Sequence, residues 1–467
     1  MRAKELYAKH GVKNYDELVM LRKYLMRGEI TFKDVAGRVA SLMRTGTDRQ
    51  EAEHRIGNKL FIPNTPTLMG AGGATNMMAC FCLYVDDSID GIMEAAKTAA
   101  AIFKSGGGLG LEFSALRPRN GALNYTLQRH CKASGPVPFL QIFDATGKAV
   151  MAAGMRRAAQ LAALNVNHPD IEEFVDCKRE DGALSGFNMS VTIDEGPDSV
   201  DPVLWDKIVQ RAWDNGEPGV VFLDNINKVN PLLDTHGPIK GVNACGEQPL
   251  YDKGACTLGH VVLPHVIDKL GDWDELKETV RFGVRFLNRV IDMNHYPTPG
   301  IASVVRNVRQ IGLGVMGLYD LTQKFNIPFV SQDTLALSEQ LGEIIYTTAV
   351  DESRKLTELY GTVGNLDRAN GMLTTVAPTG HTSRLAGVSY SIYPPLGLAH
   401  LMTAEQHLDL VAAWQPWIDS SISYTFNFGE HATTSDIDWL YRAAHERGIK
   451  CMSVYRDGSR EGQPQEA

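Results

Sequence analysis

Gly241-Val-Asn-Ala-Cys-Gly-Glu-Gln-Pro-Leu250, with Cys256 close behind it, is the stretch from which the fold and chemistry of this chain are read. Asn243, Cys245 and Glu247 stand at alternate positions, and in an extended chain side chains at i, i+2 and i+4 share a face. That reading sets an amide, a thiol and a carboxylate side by side. Pro249 has no N–H to donate, which keeps the segment out of a central ladder. Each group has a task open to it: the carboxylate as a base, the thiol as nucleophile or radical carrier, the amide as a positioning donor. A polar loop around a buried cysteine is the competing account.

The totals bound the setting. A chain of 467 residues with 44% apolar and 22% charged residues is a soluble globular protein, with one large domain and an appendage or about three ordinary domains. A net charge of -9 leaves no general basic surface for nucleic acid, so a phosphate ligand must be held by local features. The Met1-Arg-Ala-Lys-Glu start lacks the apolar core of a signal peptide. The long uncharged run from Leu385 to Ala404 contains Pro394 and Pro395 and makes a poor membrane helix. Seven cysteines, an odd number, suit a reducing compartment, and a cytoplasmic location is expected. Cys80-Phe-Cys82 is too tight for a usual zinc pair, so no metal site is expected.

Outward from the central stretch, residues 1–60 read as charged amphipathic helices, with Leu18, Leu21, Leu25, Val35, Val39 and Leu42 at helical spacing. Phe61 to Gly70 reads as a loop. Ala79 to Val85 reads as a strand in which Cys80 and Cys82 share a face but are badly placed to bond each other. Asp87 to Lys104 is the clearest helix, with an apolar stripe of Ile89, Ile92, Met93, Ala96, Ala99, Ala100 and Phe103. Asp87 or Ser88 can cap it, and Gly106-Gly-Gly108 ends it. A strand from Leu109 then leads to Arg117.

A helix-like segment closes at Met151-Ala-Ala-Gly-Met-Arg-Arg157, whose arginines suit a loop that touches anions. Phe187 to Thr192 and Gly219 to Leu223 look like buried strands, and residues 273–294 look helical. Gly312, Gly314 and Gly317, with Asp333 downstream, match the dinucleotide fingerprint. The preceding Arg306 to Gln310 is not the apolar strand that motif needs. Val376-Ala-Pro-Thr-Gly-His-Thr-Ser383 is a turn with hydroxyls and a helix start, able either to cradle phosphate or merely to cap itself. Cys451 to Arg460 reads as a late strand and turn.

Taken together these pieces resemble the catalytic subunit of ribonucleotide reductases from about Phe61 to Arg460. The resemblance rests on Pro63-Asn-Thr-Pro-Thr-Leu-Met, Ala79-Cys-Phe, Asp86-Asp-Ser, Ser105-Gly-Gly-Gly, Gly154-Met-Arg-Arg, His168-Pro-Asp-Ile-Glu-Glu-Phe, Glu217-Pro-Gly, Asn243-x-Cys-x-Glu, Cys256-x-Leu-Gly, Gly312-Leu-Gly-Val-Met-Gly-Leu, Pro378-Thr-Gly and Tyr455-Arg-Asp-Gly-Ser-Arg. It implies a ten-stranded α/β barrel of two five-stranded halves with a finger loop through its centre. The implied layout is a helical region at 1–60, the barrel at 61–460 and a polar tail at 461–467.

The resemblance also implies roles. Cys245 becomes a thiyl radical that takes the 3′ hydrogen of a ribonucleotide, Glu247 is the base for the 3′ hydroxyl, and Asn243 is a hydrogen-bonding amide. Cys80 and Cys256 match the dithiol pair that ends as a disulfide. Cys82, Cys131, Cys177 and Cys451 match no catalytic position. Thr65, Thr379, Gly380, His381, Thr382 and Ser383 match substrate contacts, with His381 and Arg384 departing from the commoner residues. Gly154, Met155, Arg156 and Arg157 match the specificity loop. Asp87, Ser88, Lys104 and Arg117 match the site for a deoxynucleoside triphosphate effector. A helix from Asp87 to Lys104 is about 25 Å long, so the expectation is that a second subunit of a homodimer supplies Lys104.

No N-terminal ATP cone and no C-terminal Cys-x-x-Cys segment is found in the sequence. Control through a cone is therefore not expected, and a thioredoxin-like protein or small thiol is the expected reductant. Such a chain looks like the minimal reductases of phages, which work in the host cytoplasm. Two radical sources fit the resemblance: adenosylcobalamin, or a ferritin-like dimetal subunit acting through tyrosines. Tyr455 matches one tyrosine of that second route, while Arg456 stands where its fellow would be. The short chain without a corrin-docking segment favours the metal subunit, and diphosphate substrates go with it. The rivals are a nicotinamide or flavin oxidoreductase built on the Gly312-Gly314-Gly317 run, a glycyl-radical enzyme, whose C-terminal motif is missing, and a non-catalytic nucleotide binder.

Overall fold

The computed structural model describes residues 3–122, 132–150, 159–179 and 182–459. Among them twelve strands follow in chain order: β1 Phe61–Pro63, β2 Cys80–Tyr84, β3 Gly108–Glu112, β4 Gln160–Asn165, β5 Phe187–Ile193, β6 Gly219–Phe222, β7 Gly241–Val242, β8 Pro249–Leu250, β9 Ala255–Val262, β10 Ile311–Met316, β11 Thr425–Phe428 and β12 Cys451–Arg456. Strands β2 to β6 pair side by side, all parallel. Strands β9 and β10 are parallel, as are β11 and β12. Residues 372–376 fill the gap between these two pairs: Leu313 bridges Thr374 and Val376 bridges Ile422, both in parallel sense.

The circuit closes through two antiparallel seams, β2 on β9 and β6 on β12. With 372–376 counted as a strand, the ring has ten members in two parallel halves of five. β1 is an extra strand laid antiparallel on the far part of β9. The strand sequences suit this placement. β9 and β10 are buried along their whole length, as strands covered on both faces must be, and they read as apolar runs rather than alternating ones.

Helices cover the outside. Ile89–Lys104, Pro136–Ala149, Pro202–Asn215, Asp274–Met293 and Gln332–Lys355 each bury one face. Phe61 meets Phe282 and Phe286 edge-on, with ring centroids 5.5 and 5.8 Å apart. Ahead of the barrel, residues 3–57 form four short helices. Val35, Val39 and Leu42 are buried there, and Arg55 ties the last helix to Glu275 and Thr279 of the Asp274–Met293 helix.

Three expectations need correction. Phe61 to Gly70 is not a loop: β1 is followed by a short helix, Thr65–Gly70, because the Asn64 side chain accepts from the Thr67 N–H and caps it. Ile89 and Met93 are 66% and 50% exposed, so the buried stripe of their helix is narrower than its apolar residues imply. The glycine run is itself the strand β10, not the turn after one, which removes the geometry a dinucleotide site needs.

β7 and β8 form a hairpin that projects inside the ring. Opposite walls touch it. A Cβ on Gly110 of β3 would lie 1.7 Å from the Val242 carbonyl oxygen, and one on Gly312 of β10 would lie 2.9 Å from Gln248 Nε2. Only a bare backbone leaves the hairpin room. Gly110→Ala should therefore lower unfolding free energy by about 3 kcal/mol or more, the upper end of overpacking costs. Gly429→Ala, with nothing within 4 Å of the added carbon, should be close to neutral. Denaturant unfolding of the two variants compares them directly.

Candidate active site

The hairpin tip is a turn, not an extended strand. Asn243 N–H donates to the Gln248 carbonyl, and Asn243 Oδ1 accepts from Gln248 N–H, both at 3.0 Å. Asn243, Cys245 and Glu247 are thus gathered by a closed turn rather than by strand alternation, which corrects the geometry though not the grouping. The barrel wall holds this turn by its backbone. The Glu247 carbonyl accepts from Ser421 N–H at 2.9 Å and from the Thr375 hydroxyl at 3.0 Å. Gln310 Nε2 donates to Gln248 Oε1 at 2.8 Å and to the Pro249 carbonyl at 3.0 Å. At the hairpin root the Tyr84 hydroxyl donates to the Leu250 carbonyl and accepts from Lys240 N–H. Lys450 Nζ, fully buried, donates to the carbonyls of Ile418, Asp419 and Ser420 and fixes the chain that meets Glu247.

Cys80 lies directly opposite Cys256 across the β2–β9 seam, and both are buried thiols. Cys80 Sγ donates to Glu247 Oε1 at 3.3 Å, and Cys256 Sγ faces the Thr257 carbonyl. Burial pushes both thiols well above their ordinary range, and the nearby Glu247 charge adds to this. Burial also pushes the Glu247 carboxyl up, offset in part by the Asn243 amide and the Cys80 thiol. Glu247 is 2% exposed, and its Oε2 makes no hydrogen bond. An acceptor left open in this way is ready for a ligand hydroxyl. Cys245, at the tip, is exposed.

Cys245 borders a cleft of about 350 Å³ at the mouth of the ring. Its walls include Asn188, Ser190, Tyr424, Cys451 and Tyr455. The Tyr455 hydroxyl is buried there without a hydrogen bond. A larger cavity of about 460 Å³ opens at the C-terminal ends of β3 to β5, between Glu112, His168, Asp194 and Lys240, and Cys80, Cys245 and Cys256 are not among its walls. Among the described residues no group of three or more His, Cys, Asp and Glu side chains is placed to hold a metal. No helix among them is long and apolar enough to cross a membrane.

The remaining expected residues fall in three places. Thr379 begins the short helix Gly380–Ala386, and the Thr382 and Ser383 hydroxyls donate to the Thr379 carbonyl, so those hydroxyls are used within the turn. Thr65 meets the Tyr24 hydroxyl at 3.1 Å. Ser88 caps the Ile89–Lys104 helix, Arg117 Nε reaches Asp87 Oδ2 at 2.9 Å, and Lys104 sits exposed at the far end. Gly154, Met155, Arg156, Arg157 and Cys131 lie outside the described residues. Sequence reasoning passed over Tyr84, Gln310, Tyr424 and Cys451. Gln310 had a visible signal, a lone amide entering an apolar strand, whereas Cys451 had none beyond its residue type.

The ribonucleotide reductase barrel domain matches residues 78–196, 202–369 and 398–455. The chain is 35% identical to the vitamin B12-dependent ribonucleoside-diphosphate reductase of Thermoplasma acidophilum, over 86% of this chain and 64% of that protein. It is 33% identical to the protein of the same name from Mycobacterium tuberculosis strain H37Rv, over 90% of this chain and 72% of the relative. Its fold is that of the Actinobacillus ureae class Id ribonucleotide reductase alpha subunit, with a TM-score of 0.81 at 21% identity, covering 95% of this chain and 96% of that one. The chain belongs to the ribonucleotide reductase barrel family.

The site predicts its own pH response. A carboxyl whose folded pKa is raised contributes most to stability below its unfolded pKa, and loses that contribution as pH rises through the folded value. Glu247→Gln removes this loss. The variant should be at least as stable as the parent near neutral pH, with its advantage shrinking toward pH 4, as thermal melts across pH will record.

Proposed function

We propose that this member of the ribonucleotide reductase family is a catalytic subunit that reduces ribonucleoside diphosphates to 2′-deoxyribonucleotides by thiyl-radical chemistry. The observation that carries the proposal is the meeting of the Cys80 and Cys256 pair with the Cys245 and Glu247 hairpin tip inside one barrel. The Cys245 thiyl takes the 3′ hydrogen of the ribose. The Glu247 carboxylate, its Oε2 open, receives the 3′-hydroxyl proton, with Asn243 steadying the carboxylate. Cys80 and Cys256 supply two electrons and two protons as the 2′-hydroxyl leaves as water, and they end as a disulfide. Cys245 then returns the hydrogen to C3′. Thr65 and the backbone of the Thr379 to Ser383 turn hold the phosphates. A thioredoxin-like protein or small thiol restores the pair.

For the radical source we propose adenosylcobalamin. The expectation from chain length is a metal subunit, but the relatives at 35% and 33% identity, aligned over 86% and 90% of this chain, are B12-dependent by name. The cleft of about 350 Å³ beside Cys245 has the unpartnered Tyr455 hydroxyl and Tyr424 in its wall. When bound, adenosylcobalamin supplies the one-electron chemistry that opens the Cys245 S–H bond. Tyr455 is thus a wall residue in this proposal rather than a link in a tyrosine chain.

Asp87, Ser88 and Arg117 form one part of the effector site and Lys104 of a second copy the other, with the exposed Ile89 and Met93 covered in the homodimer. The charged pair Asp87–Arg117 already marks where a deoxynucleoside triphosphate would compete for Arg117.

Two experiments test this reading. With adenosylcobalamin, a dithiol and nucleoside diphosphate, the parent chain should form deoxynucleotide. Cys245→Ser should bind substrate yet fall to background, and Cys80→Ser or Cys256→Ser should stop after at most one turnover. Activity with a dimetal subunit and none with the cobalamin would overturn the cofactor proposal alone. Lys104→Ala should weaken effector binding by tenfold or more, about 1.4 kcal/mol, and abolish effector-induced dimerisation in sedimentation. Unchanged sedimentation would remove the shared-site proposal.

A further inference from the structure

Cys451 is the thiol that family resemblance leaves without a task, yet it sits at the hairpin tip. It lies on β12 in the β6–β12 seam, and it lines the same cleft as Cys245. The contact with the tip is close. A Cβ on Gly246 would stand 3.4 Å from Cys451 Cβ and 3.8 Å from its Sγ. Cys451 therefore packs directly against the residue that follows Cys245. Cys245 is the neighbouring residue, with its Cα about 3.8 Å from that of Gly246. Cys245 and Cys451 thus line the same cleft one residue apart at the tip, and Gly246, at φ +80°, sits in a turn outside the β7–β8 ladder.

The two thiols differ in a way that divides their parts. Cys245 is exposed and is the first sulfur a small oxidant in the cleft meets. Cys451 is 7% exposed, and burial pushes its thiol up to about 12, so it is slow to meet oxidant directly and reacts only with a sulfenic sulfur held against it, giving up its proton in that step. Cys80 and Cys256, in the other seam, are buried more deeply.

We propose that Cys451 is a resolving thiol for Cys245, so that peroxide-class oxidants convert the pair to a Cys245–Cys451 disulfide instead of destroying the radical-bearing cysteine. In the first step Cys245–SH and hydrogen peroxide give Cys245–SOH and water. In the second, the Cys451 sulfur attacks the sulfenic sulfur, an S–S bond forms, the S–O bond breaks, and the hydroxyl leaves as water with the Cys451 proton. Two electrons pass from the two thiols to one peroxide. The product is reversible by thiols, whereas a sulfenic acid left alone advances to the irreversible sulfinic state. The state is off the reaction path, since a tip tied to β12 holds no free thiol for the ribose.

The test needs no cofactor and no turnover, so it stands or falls apart from the proposed reaction. The reduced full-length chain is treated with hydrogen peroxide, remaining thiols are alkylated, and peptides are read by mass spectrometry with and without dithiothreitol. The expected result is a Cys245–Cys451 linked peptide that dithiothreitol removes. In Cys451→Ser and Cys451→Ala, each checked for an unchanged thermal melt, Cys245 sulfinic acid should rise severalfold. A Cys245–Cys80 link in its place, or the same sulfinic yield in the parent and both variants, would overturn the proposal.

Discussion

A polar hairpin threaded through the middle of a barrel is the constraint from which the rest of this structure follows. Its backbone leaves solvent, so each carbonyl and N–H it carries needs a partner inside the ring. The partners come from both halves. Ser421 and Thr375 take up the Glu247 carbonyl, Gln310 spans Gln248 and Pro249, and Tyr84 closes the root. The same passage dictates where side chains are forbidden. Gly110 on one wall and Gly312 on the other are glycines because the hairpin backbone and the Gln248 amide occupy the space a methyl would need. The glycines that look like a nucleotide fingerprint are thus packing positions: Gly312 lies against Leu258 and the Gln248 amide, Gly314 against the Thr375 carbonyl, and Gly317 against Pro264 at φ +81°.

Burial sets the chemistry of the tip as firmly as it sets its shape. Desolvation favours the neutral form of every acid, and it acts at once on Cys80, Cys256, Glu247 and Cys451. Protonated thiols are poor nucleophiles but retain the S–H bond that hydrogen-atom chemistry uses. Glu247 is pulled both ways, raised by burial and steadied by Asn243 and Cys80. A carboxyl balanced in this way can take up or release a proton. At Cys80, Cys256 and Glu247 burial therefore favours groups that keep their hydrogen.

Much of this was legible in the sequence. The helix from Ile89 to Lys104, the strands around Cys80, Phe187 and Gly219, and the grouping of Asn243, Cys245 and Glu247 all follow from spacing and residue type. The pairing of Cys80 with Cys256 came only from resemblance, since no local pattern joins residues so far apart. Register at a seam is set by tertiary packing. The Thr65–Gly70 helix was hidden because its cap, Asn64, and the prolines around it, Pro63 and Pro66, read equally well as a turn. The tip was misread as extended because alternation cannot reveal a turn closed by an asparagine side chain. Cys451 is next to the tip only because β12 returns antiparallel to β6, a long-range fact with no sequence trace.

The brevity of the two seams has a mechanical meaning. At each, only two residue pairs are in register: Cys80 with Cys256 and Phe81 with Ala255 at one, Cys451 with Val221 and Met452 with Val220 at the other. The ladders within β2 to β6, β9 with β10 and β11 with β12 are longer, so each seam is a short joint between the two halves. A covalent bond between Cys80 and Cys256 would rivet one of them shut, and reduction would release it. Under the proposed chemistry, the oxidation state of this one pair of sulfurs would set how firmly that seam is tied.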